Sequence, residues 1–242
     1  MDWATKWEKF AKTMQGEYFQ KLLVQGLLNT IQVAVFGLII GIVIGTLIAM
    51  VKVAPKYKKS IRALDKFCTV YVAIFRGTPM AVQLLLGYYV LLPSLGVQNV
   101  NSLIVGIIVF GMNSGAYVSE IMRGGINSVD KGQMEAGRAV GLSYGTTMFR
   151  IVIPQAVKNI LPTLGNEFIT LIKETSVLSF ITVYDLYTAL TAIGSKNYEK
   201  MVPYLVMAAI YIVLVLLITL LIRVLEKAFE DKNKPLHRRA HG

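Results

Sequence analysis

MVPYLVMAAIYIVLVLLITLLI, residues 201–222, carries no charged side chain over 22 positions. At ~1.5 Å of rise per residue, a helix of that length covers the ~30 Å hydrocarbon thickness of a bilayer. The rest of the chain leans the same way. Of 242 residues, 55% are hydrophobic and 16% charged, against about 45–50% and about 25% in soluble domains. The sequence reads as an all-α integral membrane protein.

Four further apolar stretches precede the quoted one: roughly 27–51, 67–92, 101–122 and 159–182. The second is interrupted at Arg76-Gly77-Thr78-Pro79, and the fourth holds Asn166, Glu167, Lys173 and Glu174. A bundle of about five transmembrane helices follows, with four spans and a buried re-entrant piece as the alternative. Basic residues set the expected orientation. Lys52 to Lys66, Arg123 to Lys158 and the tail from Arg223 place seventeen Lys and Arg on one side, against six on the other. By the positive-inside rule the rich side is cytoplasmic, so the N-terminus lies outside and the C-terminus inside the cell membrane. The divisions are 1–21, an amphipathic outer-surface helix; 22–226, the transmembrane body; and 227–242, a basic cytoplasmic tail.

Several functions are excluded or disfavoured. A net charge of +11 in a soluble protein would point to nucleic acid, but here topology accounts for the basic residues. A single cysteine, Cys68, permits no intrachain disulfide or cysteine metal cluster, and the only histidines, His237 and His241, sit in the tail. A membrane metal site or catalytic triad is therefore not expected. No G-x-x-x-x-G-K-[ST] motif occurs, so no phosphate-binding loop of that type is available for ATP hydrolysis. Neither metal nor cofactor is expected in this chain.

Near the N-terminus, Trp3, Trp7, Phe10, Met14 and Tyr18 recur at helical spacing with lysines opposite, the pattern of an amphipathic helix lying on a membrane surface. Gly37, Gly41 and Gly45 form a small-residue ridge, and Gly111, Gly115 and Ser119 form another. Such ridges let helices approach closely in lipid. A close-packed bundle and a subunit interface are expected, without a decision on which ridge serves which.

The segment 123–158 is the most informative polar stretch. Asp130 is a natural N-cap with Gln133 three residues on, a capping-box arrangement. Gly141 suits a left-handed C-cap. Ser143 caps a second short helix that is expected to stop before Pro154. Glu135-Ala136-Gly137, Gly141, Ile151 and Ile153-Pro154 resemble the E-A-A-x3-G-x9-I-x-L-P loop of permease subunits in binding-protein-dependent ABC importers. Gly137 replaces the second alanine and Ile153 the leucine. Phe75-Arg76-Gly77-Thr78-Pro79 with Gln83, and Asn166-Glu167-Phe168 through Leu171, Lys173, Thr175 and Ser176, are similar to the polar amino acid branch of that family.

The resemblance implies a pump whose motor is elsewhere. Two cytoplasmic ATPase subunits, binding the ATP and magnesium, would receive the loop. A second permease copy or a related chain would complete the pathway, and an extracytoplasmic binding protein would deliver the amino acid for alternating access. On this resemblance Glu135, Ala136, Gly137, Gly141, Ile151 and Pro154 form the coupling loop, with Glu135 the anchoring carboxylate and Gly141 the turn.

Ionisable groups inside spans cost roughly 2.5–3.5 kcal/mol each on insertion scales, so they are expected to face protein or a wet cavity. Lys173 lies ~17 Å along the helix from Pro162, at a depth comparable with Arg76. These cations suit an α-carboxylate. Glu167 and Glu174, seven apart on one helical face, suit an ammonium group. Asn113, Ser114 and Tyr117 on the third span complete the candidate substrate contacts. The internal alternative pairs Arg76 with Glu174, and Lys173 with Glu167 or backbone carbonyls. Glu120 and Arg123, three apart, read as a structural ion pair. A permease for another small solute and a passive channel remain the rival readings.

Overall fold

A computed structural model describes residues 2–232. The end of the expected basic tail, 233–242, lies outside the described residues. Among those described, every regular element is helical.

The chain opens with α1 (Trp3–Met14), capped by the Asp2 carboxylate, which accepts from the Ala4 amide. Gly16 then starts α2 (Glu17–Val53), so the helix expected over 1–21 is divided and Tyr18 belongs to the second piece. The apolar side of α1 is also divided. Phe10 and Met14 pack onto a cluster built on Leu186, Leu190 and Ile193, while Trp3 and Trp7 stay about half exposed. Thr13 Oγ1 donates to Asn197 Oδ1 at 2.9 Å, and Lys6 Nζ lies 3.9 Å from Glu199. This helix is therefore strapped to protein along one edge and open along the other. Tertiary packing divides a stripe that periodicity alone reads as one surface.

After α2 the chain turns into α3 (Lys59–Gly77) and bends by 108° into α4 (Met80–Ser94). The expected second span thus begins earlier than its hydropathy and is broken where Gly77 and Pro79 predict. Next come α5 (Ser102–Asn127), capped by Asn101, and the short α6 (Lys131–Ala139). The following element, α7, runs from Tyr144 to Ile181. It contains a π-helical turn at Met148–Val152 and tightens to 3-10 geometry over Thr175–Ile181. The expectation that a helix stops before Pro154 is overturned: Pro154 sits in the first turn of the next α-helical segment, where its missing N–H costs least. A further helix, α8 (Leu186–Asn197), was not anticipated from the sequence; it is bent 58° from α7. Last is α9 (Met201–Lys232), whose Ile212, Val213, Leu216, Leu217, Leu220 and Leu221 remain exposed, as lipid-facing residues should. Among the described residues three helices are long and apolar enough to span a membrane, or up to five if each bent pair is one span.

The most extensive helix contact is α2 on α5, and the two glycine ridges account for it. A Cβ on Gly37 would lie 3.1 Å from Phe110 Cβ, one on Gly41 2.6 Å from Ser114 Oγ, and one on Gly45 2.7 Å from Val118. From the other side, Gly115 faces Ile44 at 2.7 Å. Each ridge receives the other helix, so both are used within one chain. The central core joins this pair to α4 and α7 through Val33, Leu84, Phe110, Leu171, Ile172 and Leu178, each no more than 1% exposed.

Candidate functional site

The break in the α3–α4 elbow organises the surroundings of Arg76. In an unbroken helix the Phe75 carbonyl would accept from the amide of residue 79, but residue 79 is proline and has no N–H. Two side chains replace that donor. Gln83 Nε2 donates to Phe75 O at 2.8 Å, and Asn113 Nδ2 to the same oxygen at 3.2 Å. Gln83 Nε2 also faces Thr78 O at 3.0 Å, and Asn113 Nδ2 donates to Gln83 Oε1 at 2.9 Å. Thr78 Oγ1 donates back to Ile74 O at 2.8 Å. Asn113 is thus committed to the elbow.

Beside this elbow the Arg76 guanidinium lies 5.3 Å from the Tyr117 ring centroid, a cation–π contact. Both residues line an open cleft of about 670 Å³ that continues along Glu120, Gly124, Ser128 and Asn159. Arg76 has no carboxylate within ion-pair range among the described residues, so the alternative Arg76–Glu174 pair is not formed. Further along the cleft Glu120 is saturated. Arg123 donates to Glu120 Oε2 from Nε at 3.0 Å and from Nη2 at 2.5 Å, and Lys52 stands 3.4 Å from Oε1. The expected Glu120–Arg123 pair is present, with Lys52 from α2 as an unforeseen third member.

Glu167 sits elsewhere. It is 9% exposed and accepts a hydrogen bond from Ser114 Oγ at 2.9 Å, directly behind Gly41. Seven residues on, Glu174 is half-buried and Lys173 exposed. Lys173 forms no ion pair with Glu167 among the described residues. The structure therefore brings Arg76 together with Tyr117 along one cleft and Ser114 with Glu167 inside the bundle, and leaves Lys173 and Glu174 outside both groups. Gln83 and Lys52 are the functional-looking residues that composition and spacing did not single out by role. A polar amide one turn past a Gly-x-Pro break was the available signal for Gln83.

On the loop between α5 and α7, Asp130 Oδ1 accepts from the Gly132 amide at 2.7 Å, forming the expected N-cap. The capping box is not closed from the Gln133 side, whose Oε1 instead accepts from Gln155 at 3.4 Å. Gly141 adopts φ +89°, and the Leu142 amide donates to Gly137 O while the Gly141 amide donates to Arg138 O, both at 3.1 Å. This is the left-handed C-cap that Gly141 predicts. Ser143 Oγ accepts from the Thr146 amide at 3.1 Å. Gly137 is buried, with the Thr147 side chain against it. Its small size therefore serves the joint between α6 and α7 rather than the outer face. Glu135, Ala136 and Val140 are exposed, Val140 at 77%. Ile151 is half-buried and Pro154 exposed. A rigid, capped projection results, presenting one carboxylate and an apolar tip.

A helical membrane bundle with a capped projecting loop and a polar cleft along a broken span defines the class of a transport subunit. Residues 37–231 match the family described as binding-protein-dependent transport system inner membrane component, and the chain belongs to that family, the permease subunits of ABC importers. GlnP of Rickettsia bellii (strain RML369-C), ascribed to a glutamine transport system, is 41% identical over 205 residues, covering 85% of this chain and 91% of its own. The arginine transport system permease ArtQ of Bacillus subtilis (strain 168) is 35% identical, covering 87% of this chain and 94% of its own. Among solved structures, an amino acid ABC transporter with histidines superposes with a TM-score of 0.79 at 38% identity, covering 87% of this chain and 95% of that one.

Proposed function

We infer that this permease carries a polar amino acid and reads its shared α-carboxylate with Arg76. The relatives are named for glutamine, arginine and L-cystine, side chains with little in common beyond the α-amino and α-carboxylate groups they are attached to. The observation that carries the reading is Arg76: a guanidinium without an acidic partner among the described residues, lining the 670 Å³ cleft and held beside Tyr117. A planar guanidinium matches a carboxylate in bidentate geometry. Glu167 and Glu174 are the acidic groups available for an ammonium, with Ser114 behind Glu167 and Asn113 shaping the elbow beside Arg76, and Lys173 is a second cation for the pathway when another subunit faces it.

The loop 123–158 lies on the cytoplasmic side in this reading, with the N-terminus outside, in line with the placement of Lys and Arg. It seats in one of two ATPase subunits, which bind ATP and magnesium. A second permease copy or related chain faces this one, and an extracytoplasmic binding protein delivers the amino acid. ATP-driven closure of the ATPases moves the loop, and alternating access follows because the partners bind the two states with different affinity.

The test is reconstitution of the permease with its ATPase and binding protein in liposomes, measuring uptake of L-glutamine, L-arginine and L-cystine. The reading expects uptake of at least one that stops without ATP, and an Arg76→Ala variant with a raised apparent KM. Uptake that continues without ATP or without the ATPase favours a channel.

A further inference from the structure

Gln83 is the least dispensable polar side chain of the broken span on geometric grounds. The Phe75 carbonyl loses its helical donor to Pro79, as set out above, and Gly77 ends the helix on open space, with nothing within 4 Å of a Cβ built there. Side chains take over at the 108° bend, the Gln83 amide foremost among them. Gln83 Nε2 faces Phe75 O at 2.8 Å, Thr78 Oγ1 at 2.9 Å and Thr78 O at 3.0 Å, while its Oε1 accepts from Asn113 on α5 at 2.9 Å. The amide orientation follows from its partners: turned over, an oxygen would face two carbonyls and a nitrogen would face the Asn113 donor. Both ends of the bend are tied to one residue, and that residue is tied to the helix bearing Tyr117.

We propose that Gln83 is a positioning residue that, with Asn113, clamps the α3–α4 elbow and so holds Arg76 against Tyr117 at the mouth of the polar cleft. Arg76 immediately follows Phe75, whose carbonyl is the clamped atom, so freedom at Phe75 becomes displacement of the guanidinium. The proposal rests on the reading of Arg76 as a carboxylate contact for its effect on transport, but not for its effect on the elbow.

Two measurements on the complete complex separate these. In nanodiscs, hydrogen exchange at the residue 82 and 83 amides, which both bond to Pro79 O, should run about tenfold faster in Gln83→Leu after correction for intrinsic rates, since the Phe75 and Thr78 carbonyls each lose a donor and the bend opens more readily. Gln83→Met keeps the length but has no hydrogen to donate, so it should behave likewise, and it serves where the leucine variant fails to assemble. Unchanged exchange in Gln83→Met overturns the clamp. For transport, Gln83→Leu should raise the apparent KM for L-arginine or L-glutamine uptake several-fold in the native background and not at all in Arg76→Ala. An equal rise in both backgrounds overturns action through Arg76. Should Arg76→Ala leave KM untouched, the carboxylate reading falls, and the exchange result alone then decides for or against the clamp.

Discussion

Gly41→Ala is the smallest change expected to damage this protein severely. The added Cβ would stand 2.6 Å from Ser114 Oγ, 2.7 Å from Ser114 Cβ and 3.2 Å from the Gly115 amide nitrogen. Favourable carbon contacts lie at about 3.5–4.0 Å, so the shortfall is about 1 Å. Rotating the serine hydroxyl away does not relieve it, because Ser114 Cβ is fixed to the helix and overlaps too. Either α2 and α5 separate or Ser114 is displaced. Overpacking of this kind costs about 1–3 kcal/mol. Displacing Ser114 also takes the donor from buried Glu167, adding about 1–3 kcal/mol for an unsatisfied polar group. A loss of about 2–6 kcal/mol is large against typical stabilities of about 5–15 kcal/mol. The assay is denaturation of the purified complex by increasing SDS in mixed micelles, followed by helix content. Gly124→Ala is the control: nothing lies within 4 Å of its Cβ, and removing a glycine from the last turn of a helix should be neutral or stabilise by up to about 0.5–1 kcal/mol. Adding Ser114→Gly to Gly41→Ala should recover the packing part alone. A Gly41→Ala protein that unfolds at the native SDS concentration refutes the reasoning.

Three further outcomes are expected. Glu135→Lys, a charge reversal at an exposed position of the α6 projection, should lower recovery of the ATPase in pull-down while leaving permease levels intact; full recovery removes the docking role. Gly141→Val places a β-branched residue at φ +89° at a cost of at least about 1–2 kcal/mol, so ATPase coupling should fall well before membrane insertion does; coupled hydrolysis at the native rate contradicts it. Lys173→Ala should reduce amino acid uptake more than it reduces assembly on gel filtration, and unchanged uptake kinetics retire Lys173 as a pathway residue.

Some of this architecture is legible in particular residues. The uncharged run at 201–222 fixes a membrane helix because hydrocarbon solvates no charge, whatever the neighbours. Gly77 and Pro79 announce a break, and Gly141 announces a left-handed cap, since each acts through its own backbone. Asp130 and Ser143 announce caps because their side-chain oxygens reach backbone amides two and three residues on. Other elements were hidden. Pro154 looked like a stop, but the π-helical turn before it allows the helix to resume. The helix Leu186–Asn197 has a moderate polar content, and the chain bends into it through Thr182 with φ +64°, a conformation that a β-branched residue does not advertise. Gln133 had the spacing for a capping box, yet a residue 22 positions away took its side chain.

Local chemistry thus decided the membrane class, the helix ends and the capped projection, because each depends on a few consecutive residues and the solvent they meet. Folding in three dimensions decided the pairings: which glycine ridge meets which, that Lys52 joins Glu120 and Arg123, that Ser114 serves Glu167, and that Arg76 stands against Tyr117. Spacing along a helix tells which side chains share a face. It carries no information on the distance to another helix, and the energy of every buried charge here is set by that distance.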